Sequence, residues 1–354
     1  MIRFECDYAE GCQPEILDLL SKTNFEQTPG YGGDEYTEKA ARLIKKACEC
    51  PNADVHFTIG GTHTNKTVIR SMLRDYEGVI SVESGHVEQH ETGTIEQGGH
   101  KVLTAYSLDG KLKPEHIRKI VENQQIYGFH MVKPGMVYVS NPTENGTMYS
   151  KAELTRLREV CDEYGLPLYL DGARMGYGLY ARGNDLTMAD YAKLCDVFYI
   201  GGTKVGALFG EAIVIVNDKF KPNFKYFIKQ NGALLAKGRL LGIQFIPLFD
   251  ERGLYYKGGK HRMDLAVKLQ DCFEECGLKD HYGSTSNQLF PEMPRWLYEK
   301  LGEKYAFSYT EKIDDDNAVI RFCTSWATKE SDVDELIKDL KNIFACENPA
   351  EYKL

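Results

Sequence analysis

Leu166-Pro-Leu-Tyr-Leu-Asp-Gly-Ala-Arg174 and Val197-Phe-Tyr-Ile-Gly-Gly-Thr-Lys204 are two apolar runs, each leading into a charged residue. Neither run alternates polar with apolar side chains. That is the pattern of strands covered on both faces of a mainly parallel sheet. A carboxylate or an ammonium at the tip of such a strand is costly to bury without a partner. In open α/β sheets, ligands bind beyond the carboxyl ends of the strands. Asp171 and Lys204 therefore read as site residues. Within the chain, Arg174 is the alternative partner for Asp171, and a protonated heterocyclic nitrogen would serve as well.

Working outward, Val55–Ile59, Val79–Val82, Lys101–Ala105, Met136–Ser140 and Ala212–Val216 are further short apolar runs. They are spaced by helix-like stretches at Thr62–Arg74, Pro114–Gln125 and Lys151–Tyr164. The last hundred residues read differently, with helices at His261–Cys276 and Val333–Phe344 and strands at Gln288–Phe290 and Ala318–Cys323. Tyr255–Gly259 reads as a joint. The pattern predicts a large α/β domain over residues 1–250 and a small C-terminal α+β domain over 251–354.

A chain of 354 residues with 42% hydrophobic and 27% charged residues is an ordinary globular protein. Its net charge of -9 argues against a binder of nucleic-acid backbones, which needs clustered Lys and Arg. No apolar run is long enough to span a membrane, and the start, MIRFECDYAEG, lacks the pattern of a secretory signal. The ten cysteines are scattered and form no CxxC, so they read as reduced thiols of a cytoplasmic protein.

After the strand Val55–Ile59 comes Gly60-Gly61-Thr62-His63-Thr64-Asn65, opening a helix. Glycines permit close backbone approach, and the first amides of a helix can hold a phosphate. Alone this is a common strand-to-helix turn. Joined to a strand-end Asp171 and a strand-end Lys204, it meets the requirements of pyridoxal 5'-phosphate: a phosphate cradle, an acid for the ring nitrogen and a Schiff-base lysine. His86 and His90, with Glu88 and Glu91, have helical metal-pair spacing, but no third ligand is evident and no metal is expected.

Three elements carry a family likeness: Tyr169-Leu-Asp-Gly-Ala-Arg174, Tyr199-Ile-Gly-Gly-Thr-Lys204, and Gly85-His86 followed by His90-Glu-Thr-Gly93. The chain resembles, over nearly its whole length, the L-threonine aldolase family of fold-type-I pyridoxal-phosphate enzymes. The resemblance implies a transferase-like large domain, and a homodimer or homotetramer with shared active sites. By the same resemblance, Lys204 would hold the cofactor, Asp171 would pair with the pyridine nitrogen, and His86 would stack on the ring. Gly61, Thr62, His63 and Thr203 would contact the phosphate. Lys237 stands where the family places an arginine that reaches a neighbouring subunit's phosphate. Arg174, beside the cofactor, and Arg321 would bind the substrate carboxylate, while Tyr31 would reach a partner's site.

The sequence departs from that family at three places. Cys6 stands for a serine that helps hold the carboxylate, Glu144 for a second active-site histidine, and Lys237 for the arginine. The implied reaction is aldol cleavage of a 3-hydroxy-2-amino acid, L-threonine or L-allo-threonine, to glycine and an aldehyde. His86, His90, Glu144 or a water held by them could remove the hydroxyl proton. Another pyridoxal-phosphate enzyme, a β-eliminating lyase or an aminotransferase, would share Lys204 and Asp171. A nicotinamide oxidoreductase is disfavoured because GxGxxG is missing.

Overall fold

The structure, a computed structural model, describes residues 1–346. Its centre is a seven-stranded sheet, in spatial order Asp54–Thr58, Glu211–Ile215, Val197–Gly201, Leu168–Asp171, Lys133–Ser140, Glu77–Val82 and Val102–Ala105. Glu211–Ile215 runs antiparallel to both of its neighbours, and the other pairs are parallel. All six other strands thus point the same way, and their carboxyl ends form one edge. The antiparallel strand brings its first residue, Glu211, to that same edge.

The central strands are apolar throughout because both faces are covered. Every residue of Leu168–Asp171, Val197–Gly201 and Glu211–Ile215 is buried. Two hydrophobic clusters form, one on each side. Lys151–Tyr164 shows how local sequence sets a covering helix. Ser150 caps its start in a reciprocal box with Glu153, Gly165 ends it at φ 64°, and Leu154, Leu157, Val160 and Cys161 face inward.

The expected joint at Tyr255–Gly259 does not interrupt the chain. It lies inside the continuous helix Leu254–Glu275. Tyr255 is fully buried and stacks on Phe249 at 4.7 Å, and a Cβ at Gly259 would stand 2.1 Å from the carbonyl oxygen of Gly176. The two residues are packing elements between this helix and the Met175–Gly178 turn. Beyond the helix, Asn317–Cys323 pairs with Glu292–Pro294, Ser308–Lys312 and Gln288–Leu289 in a small antiparallel sheet. The N-terminal strand Ile2–Arg3 pairs with Tyr305–Ala306, so the chain start is anchored beside the C-terminal sheet. Residues 347–354 of the expected small domain lie outside the described residues.

Candidate active site

A cleft of about 500 Å³ opens over the carboxyl edge of the large sheet. Gly61, Thr62, His86, His90, Glu144, Arg174, Thr203, Lys204 and Arg321 all line it, with Tyr8. They are drawn from the ends of several strands and from the small sheet, which is why no one segment of sequence displays the site.

Asp171 lies just behind the lining of the cleft, 3% exposed. One carboxylate oxygen accepts from Asn65 Nδ2 at 3.0 Å and from the Tyr138 hydroxyl at 2.7 Å, and the other from the Ala173 amide at 3.0 Å. Burial alone would raise its pKa. The positive charge of His86 and hydrogen bonds from Tyr199, Asn65 and Tyr138 outweigh it and hold the carboxyl below the usual range. A buried acid held ionised suits a protonated ring nitrogen. Arg174, its alternative partner, is committed elsewhere.

Arg174 is 5% exposed and grips Asp7, with Nε to Oδ2 at 2.7 Å and a terminal nitrogen to Oδ1 at 3.2 Å. Asp7 also accepts from Asn287 Nδ2 at 2.9 Å. The remaining terminal nitrogen of Arg174 stands 3.9 Å from Glu144 Oε2 and faces the cleft. Arg321 donates to the Glu5 carbonyl at 3.1 Å and to Ser308 Oγ at 3.4 Å, and its Nε is buried with no partner. A guanidinium in the cleft wall suits a carboxylate ligand.

His86 Nδ1 bonds Glu91 Oε1 at 2.9 Å. Burial would lower the His86 pKa, but Glu91, Glu144 and Asp171 raise it above the ordinary histidine value. His90 has the opposite balance. Burial and the charge of His86 lower it, against Glu144, so the ring stays neutral at pH 7. His90, Glu144 and Arg321 also line a second cavity of about 730 Å³ that continues outward from the cleft.

Five expected positions fall elsewhere or are otherwise occupied. The His63 ring turns away from the cleft, with Nε2 on the Asn231 carbonyl at 3.1 Å, because its place on the helix Gly61–Met72 faces the 224–231 segment. Thr203 reaches the cleft, but its hydroxyl donates to Glu211 at 2.7 Å and accepts from the Gly210 amide at 2.9 Å, leaving no donor for a phosphate. Cys6 is half-buried outside the lining, and its neighbour Tyr8 occupies the cleft wall. Burial raises the Cys6 thiol above its usual range. Tyr31 lies outside its own cleft, in left-handed backbone at φ 58°, with Lys229 Nζ 4.6 Å from its ring centre. Lys237 is exposed.

Several residues of the site escaped the sequence reading. Asn65 bridges Asp171 and Glu91 and accepts from the Tyr169 hydroxyl at 2.7 Å. Its signal was a polar side chain on the buried face of a helix, beside Thr64 and Thr67. Asp7 has no local signal. Glu211 was hidden at the start of a strand.

The donor set fits pyridoxal phosphate. The helix Gly61–Met72 begins at the cleft with small residues, Asp171 is held ionised, and Lys204 stands at the next strand end. Residues 8–286 match the family model of the beta-eliminating lyases. The low specificity L-threonine aldolase of a Pseudomonas species is 32% identical over 346 residues, 97% of this chain and 98% of that protein. The structure of a threonine aldolase from Leishmania major has a TM-score of 0.95 at 45% identity, covering 97% of this chain and 100% of that one. A histidinol-phosphate aminotransferase from Clostridium acetobutylicum, at 13% identity and a TM-score of 0.74 over 98% of this chain and 99% of that one, shares the fold.

Proposed function

The chain belongs to the beta-eliminating lyase family, and from that premise we propose that it is a pyridoxal 5'-phosphate-dependent aldehyde-lyase. It cleaves 3-hydroxy-2-amino acids, L-threonine and L-allo-threonine, to glycine and an aldehyde. One observation carries the reading: Asp171 is held ionised at one strand end, just behind a cleft that Lys204, beyond the next strand end, lines together with Arg174 and Arg321. The relatives at 32% and 45% identity are aldolases, and the aminotransferase likeness is one of fold.

Lys204 would hold the cofactor, Asp171 would keep the ring nitrogen positive, and the amides of Gly61 and Thr62 would take the phosphate. Bound there, the cofactor supplies an electron sink for the charge left on Cα as the Cα–Cβ bond breaks. Arg321 and the free nitrogen of Arg174 orient the substrate carboxylate. His86 is tied to Glu91 and biased toward its protonated form, so it is a poor base. His90, kept neutral beside Glu144, is placed to take the hydroxyl proton. The outer cavity receives the departing aldehyde.

The active unit is a homodimer or homotetramer, a reading supported by the position of Tyr31 and Lys237 outside the cleft of their own chain. The larger unit spans residues 1–250 and the smaller 251–354. We place the protein in the cytoplasm. Among the described residues no helix is long and apolar enough to cross a membrane, and the described cysteines are free thiols. The test is product analysis. Purified enzyme with cofactor and L-threonine should yield glycine and acetaldehyde one to one. Ammonia and 2-oxobutanoate instead would make it an eliminating lyase.

A further inference from the structure

Asn65 is fully buried on the helix Gly61–Met72, about one turn inside the end that meets the cleft, and the steps above give it no part. Its side chain has three partners. Nδ2 donates to Glu91 Oε1 at 2.8 Å and to Asp171 Oδ2 at 3.0 Å, and Oδ1 accepts from the Tyr169 hydroxyl at 2.7 Å. The chemistry of the partners fixes which way the amide faces. Ionised carboxylates only accept, so the NH2 group points at them and both of its protons are used.

The two acids serve different parts of the site. Glu91 Oε1 also takes the bond from His86 Nδ1 at 2.9 Å, and its other oxygen is buried with no partner. His86 lines the cleft, and Asp171 stands just behind it. A continuous run of hydrogen bonds therefore leads from His86 through Glu91 and Asn65 to Asp171. The two acids feel one another: burial and the charge of Asp171 raise the Glu91 pKa, against the bonds from His86 and Asn65 and the charge of His86. A neutral group with two donors satisfies both acids and adds no charge. An apolar side chain would leave each acid short of a donor, and a third acid would add to the repulsion.

We propose that Asn65 is a positioning residue that locks Glu91, and through it His86, to Asp171; this rests on the cofactor reading above. The histidine at the ring face and the acid at the ring nitrogen are then set as one unit. The helix that sets them is the one whose first amides would take the phosphate. Asn65 does this from behind, since it is not among the residues that line the cleft.

The experiment uses holoenzyme made with pyridoxal phosphate isotopically labelled at its ring nitrogen. It reads the nitrogen shift by NMR and the cofactor dissociation constant by equilibrium dialysis. Asn65→Leu keeps the volume and removes the bridge. Its nitrogen signal should move from the protonated toward the neutral position, and the cofactor should bind about tenfold more weakly. Should that variant not fold, Asn65→Asp keeps the shape. Placed between two acids it must take up a proton and can then donate to only one, so both readouts should move the same way. Thr67→Val removes a buried hydroxyl from the same helix, whose partners are His63 and Asn231, and should leave the signal in place. Adding His86→Phe to either Asn65 variant should cost less affinity than the product of the two separate losses, because the bridge ends at His86. An unmoved signal on removing the bridge overturns the proposal. So does an equal movement in Thr67→Val, or a loss in the double variant equal to that product. Failure of the reading beneath it looks different: no visible band in the unmodified protein supplied with pyridoxal phosphate.

Discussion

Asp7 shows how much a site can depend on a residue that touches no substrate. It holds Arg174 by two bonds and is itself held by Asn287, joining the chain start, the large sheet and the C-terminal region at one point. Burial would raise its pKa, but the charges of Arg174 and Lys204 and the bonds from Arg174 and Asn287 lower it below the ordinary aspartate value. A carboxyl lowered on folding stabilises the native state above its unfolded pKa, near 4. That contribution is lost as pH falls toward the lowered folded value. Asp7→Asn leaves the buried Arg174 uncompensated and should cost about 3–5 kcal/mol at pH 7. The stability gap between variant and parent should narrow below about pH 4. Denaturant melts at pH 7 and pH 3.5 check both statements. The KM for L-threonine should rise as well, because Arg174 loses its fixed orientation. None of this was legible in the sequence, where Asp7 is one of two acids in Glu5-Cys6-Asp7.

Between elements, the helix Leu254–Glu275 meets the Met175–Gly178 turn through two glycines. A Cβ at Gly259 would lie 2.1 Å from the Gly176 carbonyl oxygen, and one at Gly176 would lie 2.6 Å from Val205 Cγ1. The contact therefore runs from the helix to the residue after Lys204. Gly259→Ala should destabilise the fold by about 1–3 kcal/mol through overpacking, seen as a lower Tm, and should weaken cofactor retention on dialysis. An unchanged Tm would show that the contact gives way freely. Sequence reading located the central strands because burial on both faces writes an unbroken apolar run. It passed over Arg239–Phe249 for a related reason. That helix is buried from Leu241 to Phe249 on all sides, so no amphipathic period announces it. Glu211 was missed because an antiparallel strand delivers its first residue, not its last, to the functional edge.

At the scale of the whole molecule, Lys204 and Asp171 could be named from sequence because strand-end charges are visible one strand at a time. The pairing of Arg174 with Asp7, and of Thr203 with Glu211, required the chain to be folded. If Tyr31 and Lys237 serve a neighbour's cleft, mixing two inactive variants should restore activity. In a hybrid of Lys237→Ala and Lys204→Ala subunits, one site receives both intact residues. Co-refolded mixtures assayed at limiting cofactor should recover roughly a quarter of the parental activity, the statistical expectation for a two-fold dimer. No recovery would confine each site to one chain.

The anchoring role proposed for Lys204 underlies everything built on the carboxyl edge. Borohydride reduction of the protein loaded with pyridoxal phosphate, followed by digestion and mass spectrometry, tests it directly. The phosphopyridoxyl group should be found on the peptide containing Lys204, and Lys204→Ala should remain folded and unlabelled. A label on another lysine, or equal labelling of the variant, would contradict the account.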